Sequence, residues 1–516
     1  MKYQTKKLLS SFSLYTLSFI SGVLMGLTVA PIGAWFLAWI ALAPLWVLVV
    51  SFKQRKKPSP LLLALIWGIG YHGFALSWIT GIHPMDWLGV PWLASLAITL
   101  FCWTFVSLWG AAIAAVWAAC MVRFVEHKPL VRVLIGTAIW CGLEGLWSAG
   151  ALWWSSLSYT QSPHNLVILH LGQLSGPSAI TSVIVAVNGL IAEGWINRKD
   201  TKNQFNKYLV IAAGLFITLH LIGFSLYSTL ISKSPETALK VGVVQGNIPN
   251  IIKLRPEGLR RAITGYTEGY LTLADQGVDA VLTPEGALPF FVRNLSTTPI
   301  ISAVREKGVV AWIGAFGERG RSYTNSLFTF AGNGEVFSRY DKTKLVPLGE
   351  YIPFEAILGQ LIQRLSPLDE HQVPGSPNQL VDTPFGRVIV GICYDSAFSE
   401  QFRRQAASGG QFILSSSNDA HYSAAMPFQH HAQDIMRAIE TDRWSVRATN
   451  TGYSAFIDPH GRTLWISGYN TYATHAETIY QRQTQSLYVR WGDWLTPLLL
   501  IAAGGVWLVH LKMQRS

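Results

Sequence analysis

A carboxylate, a cation and a thiol each follow a strand-like run in this chain. Glu285 stands in AVLTPEGALP, Lys342 in SRYDKTKLVPLGEY and Cys393 in RVIVGICYD. Taken singly, each has an ordinary reading: a glutamate in a Pro and Gly turn is solvated, a lysine ends a strand, and a cysteine packs in a core. Together they occupy one topological position, the carboxyl end of a strand. There, loops are free to carry chemistry while the strands hold them still. A thiol is mostly protonated at neutral pH, so its attack on a carbonyl needs a base such as Glu285. Attack creates an oxyanion. Lys342 and the backbone N–H after the nucleophile could stabilise that charge, and losing one such donor typically costs a factor of roughly 10² to 10³ in rate. The set points to thiol-mediated acyl transfer. No metal-binding or phosphate-cradling motif competes, so neither a metal nor a cofactor is expected.

The cysteine distribution supports this reading. Cys102, Cys120 and Cys141 fall inside long apolar runs, which leaves Cys393 as the only cysteine between residues 236 and 487. It has no disulfide partner there, and a lone thiol in an oxidising compartment is a candidate nucleophile.

The elements that must position these residues alternate along the same stretch. Strand-like runs cover Leu239 to Gly246, Ala280 to Pro284, Val309 to Phe316, Asn325 to Ala331 and Glu335 to Tyr340. They continue with Val388 to Cys393, Phe412 to Ser416 and Ser445 to Ile457, while 258–276, 297–307 and 428–443 read as helices. This is an α/β domain on a layered sheet.

The rest of the chain belongs to another environment. A 516-residue protein with 50% hydrophobic and 13% charged residues is too apolar for a soluble enzyme. Its apolar runs at 9–29, 33–52, 60–80, 91–122, 133–149, 166–193, 208–231 and 491–511 approach or exceed the ~20 residues a helix needs to cross hydrocarbon. The weakest are 133–149, which is short, and 166–193, where GQLSGPS at 172–178 would interrupt a helix. A soluble helical solenoid is the disfavoured alternative. The first run begins a series and reads as an uncleaved helix, not a signal peptide.

The expected organisation is thus a membrane domain over 1–232 with seven helices, a catalytic domain over 236–487, and a C-terminal transmembrane helix over 490–511. Lysine and arginine fall on alternate loops: Lys53, Arg55, Lys56 and Lys57 in one, Arg123, Lys128 and Arg132 in the next, Arg198, Lys199, Lys202 and Lys207 in a third. The intervening connections, 81–90 and 150–165, hold none. Positive residues stay on the cytoplasmic side, so the domain 236–487 is expected outside. These flanks largely explain the formal charge of +11, which gives no reason to propose nucleic acid as a partner. Tryptophans toward span ends fit an interfacial belt, and the cluster ALWWSSLSYTQ at 151–161 could line a lipid access route. Glu144, His72, His170 and His220 lie near membrane depth, where a charge needs a partner.

TPEG, YDKTKLVPLGEY and GICYD, in this order, resemble the carbon-nitrogen hydrolase (nitrilase) superfamily, and SSSNDA at 415–420 and RATNTGYSAFIDPHG at 447–461 extend the likeness. The resemblance implies an α-β-β-α sandwich with a Glu, Lys, Cys triad. With seven spans before that domain and one after it, nearly the full chain is similar to the apolipoprotein N-acyltransferases. That likeness implies Glu285 as general base, Lys342 as oxyanion stabiliser and Cys393 as nucleophile, with Glu350, Tyr394 and Asp395 in support. It also implies a phospholipid acyl donor, typically phosphatidylethanolamine, and a diacylated apolipoprotein acceptor in the bacterial cytoplasmic membrane. The chain departs from the pattern in three places. Asp395 replaces a Glu, Leu254 replaces a Trp, and His421, Tyr422 and Ser423 replace an aromatic residue and Gly.

The segment 351–365 places Ile357, Leu358, Leu361, Ile362 and Leu365 on one helical face, as a lid for acyl chains or a core-facing helix would. A membrane-tethered amidase acting on a soluble amide would use the same triad. It would not need so large a bundle, and an intact triad argues against a transporter or receptor.

Overall fold

The computed structural model describes residues 11–51, 59–86, 89–198, 202–347, 349–351 and 372–515. Beyond Tyr351, the expected amphipathic helix over 351–365 lies outside the described residues. The N-terminal region is helical, comprising α1 (Ser11–Gly26), α2 (Ala43–Ser51), α3 (Pro60–Ala75), α4 (Trp92–Met121), α5 (Pro129–Ser148), α6 (Pro177–Asn197) and α7 (Lys202–Tyr227). Among the described residues, α4, α5, α6 and Gln204–Tyr227 of α7 are long and apolar enough to cross a membrane. Shorter apolar helices cover Phe12–Gly26, Trp35–Ser51, Pro60–Ala75, Leu166–Ser175 and Leu495–His510.

Two of the expected spans are interrupted, for visible reasons. The run 33–52 begins as a 3₁₀ turn, Trp35–Trp39, before α2. Backbone groups freed by that break need partners where water is excluded. Asn188 of α6 supplies them: its Oδ1 accepts from the N–H groups of Leu42 (3.0 Å) and Ala43 (2.9 Å), and its Nδ2 donates to the Ala38 carbonyl (2.8 Å). The run 166–193 splits into the turns Leu166–Leu169 and Gly172–Ser175, and a new helix starts at Pro177. Proline at the first helical position is well placed, because its missing N–H has no intrahelical role. By contrast, 133–149 extends into the full 20 residues of α5.

Ionised groups inside the bundle are partnered. Arg132 and Glu193 form a two-pronged pair, Nε to Oε1 at 2.8 Å and Nη2 to Oε2, and Trp46 Nε1 adds a bond to Oε1 at 3.1 Å. Glu144 accepts from Ser156 Oγ (2.8 Å), Thr181 Oγ1 (2.9 Å) and the Leu157 N–H (2.9 Å), so it ties α5 to the loop that follows it.

The remainder is a four-layer sandwich. One sheet has the order β12-β1-β2-β3-β4-β5: β1 (Ala238–Gln245), β2 (Ala280–Leu282), β3 (Val310–Arg319), β4 (Ser322–Phe330), β5 (Val336–Asp341) and β12 (Ala473–Tyr480). The other has the order β11-β10-β9-β8-β7-β6: β6 (Val381–Thr383), β7 (Gly386–Ile392), β8 (Ile413–Ser417), β9 (Ser445–Thr449), β10 (Ala455–Ile457) and β11 (Thr463–Ile466). Val241, Leu282 and Trp312 of the first sheet pack against Val390, Leu414 and Val446 of the second. Outside the first sheet lie α8 (Pro256–Asp275) and α9 (Pro299–Lys307). Outside the second lie α10 (Ser399–Ala407) and α11 (Ala425–Thr441), and the chain closes with α12 (Leu495–Arg515).

The single strand expected over 445–457 is instead the hairpin β9–β10, turning at Asn450 to Gly452. β6, β11, β12 and α10 were not anticipated from the sequence. One hydrophobic core runs without a break from Trp46 and Trp67 in the bundle to Ile435 and Ile439 of α11, so the sandwich is packed onto the bundle.

Candidate active site

β1, β2 and β3 are parallel, and β5 runs with them because β4 is antiparallel to both of its neighbours. β7, β8 and β9 are likewise parallel. The carboxyl ends of both sets meet: Ser416 Oγ, in β8, donates to the Thr283 carbonyl after β2 at 3.2 Å, and the Asn247 N–H donates to the Asn450 carbonyl at 2.7 Å. At this seam the structure brings together Glu285, Lys342, Glu350 and Cys393.

Lys342, 1% exposed, donates from Nζ to Glu285 Oε1 at 2.9 Å and to Glu350 Oε1 at 2.7 Å. Asn325 Nδ2 also reaches Glu285 Oε1 (2.7 Å), and the Asn418 N–H reaches Oε2 (2.9 Å). Glu350 accepts from the Val346 N–H (2.7 Å) and Gln372 Nε2 (3.2 Å). Burial pulls the Lys342 ammonium down, but the two carboxylates outweigh it and hold it well above the usual lysine range. Burial pushes the Cys393 thiol well up, the Glu285 charge adds to this, and Lys342 opposes it. The resting pattern is therefore a protonated thiol beside a carboxylate. Gly314 of β3 makes room for the Glu285 turn, since a Cβ there would lie 2.0 Å from the Pro284 carbonyl oxygen.

Cys393 follows β7 directly and adopts φ +50°, a left-handed backbone that costs a non-glycine residue about 1–2 kcal/mol. Asp395 holds the turn. Its Oδ2 accepts from the Ile392 N–H (3.0 Å) and Tyr340 Oη (3.1 Å), and its Oδ1 from Thr343 Oγ1 (2.8 Å) and the Lys344 N–H (2.8 Å). The shorter Asp side chain is fully occupied as a brace. Tyr394 points the other way, into the bundle. Its hydroxyl lies 2.8 Å from the Ala151 carbonyl oxygen and 2.9 Å from that of Trp153, accepts from the Trp153 N–H (3.0 Å), and its ring stacks on Trp154.

The family of carbon-nitrogen hydrolases matches residues 240–486, and the apolipoprotein N-acyltransferase N-terminal domain matches 21–190. The apolipoprotein N-acyltransferase of Nostoc sp. is 76% identical over 92% of this chain and 95% of its own length. That of Synechocystis sp. is 48% identical over 94% of this chain and 99% of its own. The chain belongs to the apolipoprotein N-acyltransferase family.

In this member of the apolipoprotein N-acyltransferase family several further polar groups surround the seam, and of these only His421 was singled out in the sequence. Asn325 lies within β4, while Asn418 follows the end of β8 and lies within the SSSNDA motif. Lys253, whose Nζ is 3.4 Å from the Glu285 carbonyl oxygen, is lowered to about 8 by burial. His421 Nδ1 lies 2.6 Å from Asn250 Nδ2. His430 and Asp419 stand behind Cys393, and its Sγ, an Asp419 carboxylate oxygen and a His430 ring nitrogen lie within 4.8 Å of one another. Such donors suit a soft divalent ion. Here the ring nitrogens face Asp419 Oδ1 (3.1 Å) and the Cys393 carbonyl oxygen (2.9 Å), and Asp419 Oδ2 accepts from Arg447, so the set is spent on hydrogen bonds.

Proposed function

We propose that Cys393 accepts an acyl chain from a phospholipid as a thioester and passes it to the α-amine of a diacylglyceryl-cysteine at the start of an apolipoprotein. The observation that carries this reading is the buried Glu285–Lys342–Glu350 array that meets Cys393 at the seam of the two sheets. Glu285 takes the thiol proton as Sγ attacks the ester carbonyl carbon. The oxyanion develops beside the Lys342 ammonium and the Tyr394 N–H. Collapse breaks the ester C–O bond, Glu285 returns the proton to the glycerol oxygen, and a lysophospholipid leaves. The lipoprotein amine then attacks the thioester, Glu285 removes its surplus proton, and the C–S bond breaks to restore the thiol. Glu350 keeps Lys342 in place, while Asp395 and Tyr394 hold the nucleophile turn.

The donor we assign is phosphatidylethanolamine. The site is placed on the periplasmic face of the cytoplasmic membrane, consistent with the lysine and arginine flanks of the alternate loops. The divisions 1–232, 236–487 and 490–511 serve as membrane domain, catalytic domain and closing helix. Two lipid substrates would reach the thiol through the bilayer side, where the Ala151–Gln161 loop meets Tyr394.

Intact mass spectrometry of purified protein with phosphatidylethanolamine tests the reading. A hydroxylamine-labile acyl adduct is expected on wild type and not on Cys393→Ser, and a diacylated lipopeptide with a free amine should discharge it. No adduct, with small amides hydrolysed instead, would support a tethered amidase.

A further inference from the structure

Behind Cys393 lies a buried ionic cluster that the acyl-transfer steps leave unused. His430, Asp419 and Arg447 are 0% exposed and Asp434 is 1% exposed. Arg447 pairs with both carboxylates, Nη2 to Asp419 Oδ2 at 3.1 Å and Nη1 to Asp434 Oδ2 at 2.5 Å. Two carboxylates against one guanidinium leave a negative excess, which is costly where water is excluded. Hydrogen bonding at His430 points to the missing positive charge. Its Nδ1 lies 3.1 Å from Asp419 Oδ1 and its Nε2 lies 2.9 Å from the Cys393 carbonyl oxygen. A carboxylate and a carbonyl only accept, so both ring nitrogens must donate, as an imidazolium does. Burial raises the Asp419 carboxyl, yet the His430 and Arg447 charges outweigh it and keep it low, so Asp419 is the ionised acceptor.

We propose that His430 is a positioning residue for Cys393. As an imidazolium held by Asp419, it donates to the Cys393 carbonyl oxygen, fixes that residue's left-handed backbone and sets a positive charge beside the thiol. The inference rests on the reading of Cys393 as nucleophile. The Asp419 carboxylate, within 4.8 Å of Sγ, works against a thiolate, and the imidazolium offsets it at the same range. The charged and titratable groups that face this ring come from every side. Asp419 follows β8, Arg447 lies in β9, Asp434 and His431 share α11, and Cys393 caps β7. From the bundle comes the uncharged Trp154 ring, 5.8 Å away.

The test is the pH profile of Cys393 alkylation by iodoacetamide in the full-length protein in detergent. Peptide mass spectrometry separates Cys393 from Cys102, Cys120 and Cys141. His430→Gln keeps an N–H donor but no charge. It should move the profile to higher pH by about one unit and slow alkylation about tenfold at pH 7. Thioester formation from phospholipid should slow similarly at saturating donor, with KM little changed, and the melting temperature should fall, since two carboxylates are then left against one guanidinium. A folded His430→Gln with the wild-type profile overturns the proposal, as does a lower melting temperature with an unshifted profile. His430→Asn, also an uncharged donor, replaces it if the glutamine variant does not fold. ¹⁵N NMR of the histidine rings gives a second readout: the ring whose signals are absent from His430→Gln should be doubly protonated at neutral pH in the wild type, and a neutral ring there overturns the proposal. A wild type that forms no adduct on Cys393 instead defeats the underlying nucleophile reading, whereas an unchanged profile in a variant that still forms the adduct defeats only the role of His430.

Discussion

In the proposed reaction Glu285 receives a proton and hands it on: its two oxygens are held by Lys342, Asn325 and the Asn418 N–H, with Cys393 beside it. Glu285→Gln keeps the shape and removes the base. Thioester formation in single-turnover assays should fall by roughly 10² to 10⁴, the range of general acid–base contributions. The thiol gives a second prediction. Burial raises the Cys393 pKa above its unfolded value, so the folded protein retains a proton that the unfolded chain releases above about pH 8.5. The stability this contributes is present below that pH and is lost as pH rises. Between pH 8 and 10 the melting temperature of wild type should therefore drop faster than that of Cys393→Ser. Equal slopes would show that the thiol is not perturbed.

Some of this site was legible in the sequence and some was not, for a physical reason. Glu285, Lys342 and Cys393 each end a strand, and strand ends are visible as the point where a β-branched run meets a polar turn. His430 has no such mark. It lies mid-way along α11, in a stretch rich in polar residues, and only the packing of α11 against the Cys393 turn gives it meaning. Asp395 could be read as a shortened Glu, but its four bonds to the backbone and side chains around the turn emerge only from the fold.

At the scale of elements, the sandwich works as a clamp on its own carboxyl ends. Gly314 shows how tight the clamp is, because β3 passes under the Glu285 turn with space for hydrogen alone. Gly314→Ala should push that turn outward, at a cost of about 1–3 kcal/mol in stability. Acylation should fall by more than the loss of folded protein explains, and a chemical melt paired with the active fraction separates the two. Most strands and helices were legible through their periodicity, as was the break at 172–178, whereas the 3₁₀ start of the run 33–52 was not. Strand β12 was not, because ATHAETIY alternates weakly and pairs with β1 from far along the chain. The 445–457 stretch was over-read as one strand, since its turn residues Asn450, Thr451 and Gly452 sit between two short apolar runs. Gly452 also passes close to Asp419, where a Cβ would lie 2.4 Å from Oδ2.

At the scale of the whole molecule, bundle and sandwich share one hydrophobic core, and the buried Arg132–Glu193 ion pair fastens the bundle within itself. Removing one partner from such a pair strands the other's charge and typically costs about 3–5 kcal/mol, whereas replacing both with apolar residues costs far less. Arg132→Met should therefore lower the melting temperature in detergent markedly, and Arg132→Met with Glu193→Met should recover most of the loss. A double variant as unstable as the single one would show that the helix packing, not the charge, was damaged. The apolar helical region was legible because hydrocarbon demands long apolar runs. Which loop of the bundle touches the sandwich was not, since ALWWSSLSYTQ reads equally well as an interfacial belt.

The contact between Tyr394 and that loop bears on biogenesis. The residue next to the thiol is moored to Ala151 and Trp153, and the loop is in turn tied by Glu144 to α5 and α6. During synthesis the loop emerges long before Cys393, but it takes its shape only when those helices have assembled in the bilayer. A chain that has folded its sandwich without a finished bundle has the thiol but not its mooring. If Cys393 acts as proposed, insertion is then a safety catch that completes the thiol's surroundings only where lipid is already the neighbour.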